Sequence, residues 1–224
     1  MSAFHQGVDG NSSSVILSEA KDLLLTSFNS RSFRFAQDDK CEVPRITKVT
    51  VMDYELSTAK QVLERTPATL ESLLVGLSDE WLDATEGGDS WSPRQVVAHM
   101  LGAERSAWIP RLRLILDASE PQRFQPFDRT AEIHASRGRP FEELVMEFRE
   151  RRRESLSLLS TLPIDEATLS KTGIHPEFGL VELRQLLATW TVHDLAHLVQ
   201  IERTMAKQYS AAVGPWIANF RVIR

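Results

Sequence analysis

With 224 residues, 42% hydrophobic and 25% charged, the chain has the length and balance for one sizeable core and a small appendage. No run approaches the roughly 18 consecutive apolar residues of a membrane-spanning helix, and a single cysteine, Cys41, excludes an intramolecular disulfide and points to a cytoplasmic setting. The formal net charge of −5 points away from a dedicated nucleic-acid binder.

The first 51 residues read differently from the rest. Gly7, Gly10 and Asn11 to Ser14 are loop-like, and the apolar runs Val15–Leu17 and Leu23–Leu25 are broken by Glu19, Lys21 and Asp22. That break excludes the uninterrupted apolar stretch of a secretory signal. The segment SSVILSEAKDLLLTSFNSRSFRFAQDDK resembles peptides encoded by repetitive intergenic DNA of bacteria. Residues 1–51 are therefore expected to be an extension, disordered or loosely attached, with the natural start at or near Met52. A packed helix from Val15 to Ser27 is the alternative, and the intact mass of the protein from its own host distinguishes the two.

Residues 52–224 read as one helical domain. Leu56, Ala59, Val62, Leu63, Leu70, Leu73 and Leu74 recur at spacings near three and four, with Pro67 expected to kink or divide the helix. Gly87, Gly88 and Asp89 mark a loop. Ser92-Pro93-Arg94-Gln95 then forms a strong helix start, a Ser cap and a Gln three residues on making a capping box. This helix runs through Val96, Val97, Met100 and Leu101 toward Leu116, with a bend expected at Pro110. Residues 118–139 form a long polar loop, of a kind that is more often functional than idle.

A third helix follows Pro140, with Phe141, Leu144, Val145, Phe148, Leu156 and Leu159 on its apolar side. Its run Arg149, Arg151, Arg152 and Arg153 is interleaved with Glu147, Glu150 and Glu154, the pattern of a solvated face rather than a phosphate-binding patch. Residues 162–179 read as another loop, and the last long helix spans about 180–208. Gly214-Pro215 precedes a short amphipathic tail. No useful β-alternation appears, so the fold class is all-α, a four-helix bundle.

Three of six histidines are positioned for joint work. His193 and His197, four apart, share one helix face, the spacing by which a helix offers two nitrogens to one metal. His99, on the second bundle helix, supplies a ligand from another element, and the small residues Gly102 and Ala103 leave room on that side. Two histidines bonded to carbonyls at half-buried positions fit the same spacing. HDLAH lacks the Glu of H-E-x-x-H, which argues against a protease of that type.

Across residues 53–221 the chain resembles the DinB/YfiT-like superfamily of bacterial metalloproteins. The resemblance rests on LVGLSDEWLDATEGGDSWSPRQVVAHMLGAERSAWIPRLRLIL, IHPEFGLVELRQLLATW and TVHDLAHLVQIERTMA. It implies a four-helix bundle whose metal ligands map onto His99, His193 and His197, with zinc or nickel as the divalent ion. It further implies a metal-dependent enzyme of the thiol S-transferase or isomerase type, in which a low-molecular-weight thiol attacks a small electrophile. A metal-dependent hydrolase and a non-catalytic metal-binding stress protein are the alternatives. The resemblance also implies a small-molecule substrate and a homodimer, while charge and hydropathy point to no nucleic-acid or membrane partner. No catalytic residue beyond the ligands is assigned.

Around the triad, Asp194, Gln200 and Thr189 are placed to orient ligands by hydrogen bonds, with an ordinary polar position at the bundle edge the alternative for each. Glu104 with Arg105, and Glu202 with Arg203, read as surface ion pairs. His175 reads as a turn residue, with a substrate contact as the alternative. Trp91, Trp108 and Trp190 read as packing residues, Trp91 suiting a hydrophobic staple.

Overall fold

The computed structural model describes residues 52–223. The expectations for the N-terminal extension, its alternative helix and Cys41 lie outside the described residues.

Four long helical segments carry the domain. The first, α1 (Leu56–Leu74), buries Ala59, Leu63, Thr66, Pro67, Leu70 and Leu74 along one stripe. Of the expected kink or division, the division is absent: α1 is a single helix with Pro67 inside it. A proline removes the N–H that would bond the carbonyl four residues earlier. That carbonyl belongs to Leu63, and the buried Arg152 guanidinium donates to it at 2.8 Å.

A one-turn helix α2 (Asp79–Leu82) leads to α3 (Pro93–Ser106), whose start is the capping box read from the sequence. Ser92 Oγ accepts from the Gln95 N–H at 3.3 Å, and Gln95 Oε1 accepts from the Ser92 N–H at 3.0 Å. The chain breaks at Ala107, before α4 (Trp108–Asp117), rather than at Pro110. Pro110 falls in the first turn of α4, where no intrahelical N–H bond is required.

The stretch expected to be loop over 118–139 contains a short helix, α5 (Ala131–Ala135), packed against α3. After α6 (Phe141–Thr161) and the one-turn α7 (Glu166–Leu169), a hairpin replaces the second expected loop. Its strands β1 (Thr172–His175) and β2 (Gly179–Glu182) pair antiparallel, Thr172 opposite Glu182 and His175 opposite Gly179. Four-residue strands are too short for period-two alternation to stand out. The last helix, α8 (Leu183–Lys207), starts three residues later than expected and gives way to short 3-10 turns at Gly214–Asn219 and Arg221–Ile223.

The bundle forms as α3 packs on α6 and α8, and α1 on the same two helices. One apolar cluster gathers Leu63, Trp108, Leu112, Leu187 and Trp190, and another Leu70, Val97, Leu101, Phe148 and Ile201. Arg152 touches both, its guanidinium 5.0 Å from the Phe148 ring centre and 5.2 Å from that of Trp190.

This arginine is the exception in its run. Arg149, Arg151 and Arg153 pair with Glu71, Glu154 and Glu150 on the surface, whereas Arg152 is 1% exposed. It holds Asp194 through two nitrogens at 2.6 and 3.0 Å and Glu104 at 2.8 Å. Trp190 Nε1 and Ser155 Oγ complete the cage by donating to Glu104 at 2.9 and 3.0 Å. The expected Glu104–Arg105 surface pair is therefore absent. Helical rotation sends Glu104 inward, while Arg105 turns out to Glu132 and Glu147. Arg203 likewise pairs with Glu86, not Glu202, at 2.7 Å. Among the described residues no helix is long and apolar enough to cross a membrane.

Candidate metal centre

The fixed start of α3 sets the rotation of that helix, and His99 in its second turn points into the bundle, 3% exposed. Across from it, α8 presents His193 and His197 one turn apart, both partly buried. The three Nε2 atoms converge: His193 Nε2 lies 3.2 Å from that of His99 and 3.2 Å from that of His197. Nitrogens at tetrahedral positions about zinc, each roughly 2.0–2.1 Å from the ion, stand about 3.3 Å apart. The observed separations match that edge, and the ligand atoms of all three residues lie within 4.8 Å of one another.

The far sides of the rings set the tautomers. His99 Nδ1 faces the carbonyl of Arg129 at 3.0 Å, and a carbonyl only accepts, so Nδ1 carries the proton and Nε2 keeps its lone pair. His197 Nδ1 is held the same way by Gln200 Oε1 at 2.8 Å. His193 Nδ1 is buried without a hydrogen-bond partner. Burial also keeps the rings uncharged. It pushes the His99 pKa down to about 4, against the pull of the Arg129 carbonyl, and that of His193 down to about 2. His197 is lowered as well, burial outweighing its bond to Gln200. Neutral imidazoles with free Nε2 lone pairs are the state in which histidine binds a metal. The donor set therefore fits a divalent ion.

Aromatic rings enclose the triad. Trp91 packs 4.8 Å from the His99 ring, Phe127 5.5 Å from it, and Trp108 meets His193 edge-on at 5.1 Å. Trp108 and Trp190 stack at 5.7 Å in the core, as packing residues. Trp91 does more than the expected staple, since its ring also stacks on His197 at 6.5 Å.

Of the residues read as orienting groups, only Gln200 takes that role. Asp194 faces the opposite way, into the Arg152 cage, and Thr189 is exposed. His175 stands apart from the triad. Its Nδ1 accepts from the N–H groups of Glu177 and Phe178 in the hairpin turn, the turn role read from the sequence. The room beside Gly102 is not left for a metal. A Cβ there would stand 2.8 Å from Glu132 Cβ, so the glycine lets α5 press against α3. That contact carries the Arg129 carbonyl to His99. A backbone acceptor has no side-chain signature, and nothing in the sequence identified Arg129.

A cleft of about 740 Å³ opens elsewhere, lined by Arg94, Gln95, Ile133, Phe141 and Glu142. No histidine of the triad lines it, so it is not the mouth of this site.

The sequence pattern of the DinB superfamily matches residues 62–201, a span that holds all three histidines. The chain belongs to the DinB superfamily. Among its relatives, a protein of Oceanobacillus iheyensis provisionally named a metal-dependent hydrolase is 28% identical over 142 residues, covering 62% of this chain and 79% of the relative. A Bacillus cereus protein with the same provisional name is 25% identical over 156 residues, covering 69% and 87%. The solved structure of YfiT from Bacillus subtilis is described, again provisionally, as a metal-dependent hydrolase with an unusual four-helix bundle topology. It superposes with a TM-score of 0.61 at 23% identity, covering 72% of this chain and 91% of that one. At that identity the likeness bears on the fold, and the expected DinB-like bundle stands.

Proposed function

We propose that His99, His193 and His197 hold a divalent ion, zinc or nickel, and that this DinB superfamily member is a metal-dependent enzyme acting on a small electrophile. The observation that carries the reading is the convergence of three uncharged Nε2 atoms, that of His193 standing 3.2 Å from each of the other two. An ion held by three neutral ligands keeps its full charge, and so lowers the pKa of a thiol or water bound beside it.

For the nucleophile we assign a low-molecular-weight thiol. A thiol needs only modest acidification from about pKa 8.5, whereas water starts near 15.7 and gains from a side-chain base that accepts its proton. Among the described residues no carboxylate bonds the triad, and the nearby Asp194 and Glu104 are both engaged by Arg152. What the chain itself supplies is orientation of His99 and His197 through Nδ1 and exclusion of water by Trp91, Trp108 and Phe127. Hydrolysis is the second reading, favoured by the provisional names of the relatives.

Elemental analysis followed by parallel thiol-transfer and ester-hydrolysis assays tests both. The expectation is one ion per chain and thiol-dependent turnover that His197→Ala abolishes together with the ion. Turnover of esters without thiol would replace the first reading by the second. Wild-type protein that takes up no ion would sink both.

A further inference from the structure

The stretch that delivers the His99 acceptor also delivers a side chain with no assigned role. We propose that Arg129 recognises a carboxylate on the small molecule that reaches the triad. The inference rests on the metal-centre reading above and adds the charge class of its ligand.

Arg129 is rigidly placed. Its carbonyl is tied to His99 Nδ1 at 3.0 Å. On its two sides, Asp128 Oδ1 accepts from the N–H groups of Thr130 and Ala131 at 2.9 and 3.1 Å and so fixes the turn into α5. Its guanidinium lies 5.6 Å from the centre of the Trp91 ring, the same ring that packs on His99 and His197.

The cation is exposed and uncommitted. Arg94 and Arg105, at either end of α3, are each held by two carboxylates. Arg129 forms no ion pair among the described residues, and its neighbour Asp128 is spent on the turn. No carboxylate bonds the triad, and Asp194 and Glu104 are both turned to Arg152. A guanidinium presents a fork that matches a carboxylate with two parallel bonds, and resting on an aromatic face leaves that fork free. A ligand with one end at the triad and a carboxylate at the other satisfies both charges.

The test is binding to zinc-loaded protein by calorimetry, with two pairs of probes that share a head and differ in tail charge. One pair is 3-mercaptopropionate against 3-mercapto-1-propanol, the other glutarate against its monoamide. Wild type is expected to favour the charged tail by roughly tenfold to a hundredfold, the range of a charge-assisted hydrogen bond. Arg129→Met should level both pairs without loss of zinc, because the His99 contact runs through the main chain. Arg129→Lys should retain part of the preference.

A preference that survives in Arg129→Met, or none in wild type for either pair, overturns the proposal. Discrimination within the glutarate pair with neither thiol bound would keep Arg129 and reject the thiol assignment. Wild type without zinc uptake would overturn the metal reading and this inference with it.

Discussion

Gln200 Oε1 accepts a hydrogen bond from Nδ1 of His197 at 2.8 Å, while the same nitrogen of the buried His193 has no partner. Two of three rings are thus steered by hydrogen bonds through Nδ1 and one by packing, against Trp108 and the other two imidazoles. Removing the Gln200 acceptor should weaken metal binding about tenfold to a hundredfold in Gln200→Ala, measured by competition against a chelator. An unchanged affinity would mean that packing orients His197 as well. Arg152 answers to a different balance, since it pairs with both Glu104 and Asp194 and satisfies the carbonyl that Pro67 frees. Arg152→Met leaves two buried carboxylates and one bare carbonyl behind. Stability to urea should fall by about 3–5 kcal/mol, and the loss should shrink in Arg152→Met combined with Glu104→Gln and Asp194→Asn.

At the scale of elements, the contact between α3 and α5 sets the position of the Arg129 carbonyl. Gly102→Ala would place a methyl against Glu132, push α5 outward and lengthen the bond to His99. We expect weaker metal binding with little loss of global stability, because α5 buries only Ile133; chelator competition and urea titration on the same variant separate the two effects. The long helices were legible because Leu63, Leu70 and Leu74, or Leu144, Phe148 and Leu159, repeat at helical spacing over about three turns or more. The five-residue α5 and the four-residue strands offer no such length, and their places were read as loops. The histidine triad was legible from the four-residue spacing on α8 and from family resemblance. Of its supports, only Gln200 was. Arg129 acts through its main chain, and Arg152 sits in a run whose three other arginines are exposed. Nor did α8 disclose its inner face by polarity, since Val192, Leu195 and Val199 are 46–58% exposed on the side away from the core.

Across the whole molecule, three buried imidazoles tie folding to pH. In the unfolded chain each titrates near its ordinary 6.5, while His99 in the fold titrates near 4. Below 6.5 the unfolded state therefore binds more protons, and stability falls as pH drops from about 6.5 toward 4. His99 alone accounts for about 3 kcal/mol over that window. Urea unfolding of metal-free protein at pH 7, 5.5 and 4.5 should show a steady decline, and a flat profile would contradict burial of neutral rings. The rings around the triad have one more consequence, an optical one. Trp91 touches His99 and Trp108 touches His193, so two indoles stand against the candidate ligands. Nickel and cobalt, with partly filled d shells, drain the excited state of a nearby indole, whereas zinc has a closed d shell. The protein's own ultraviolet emission should therefore dim as nickel enters and hold nearly steady for zinc, giving the site a built-in gauge of which ion has arrived.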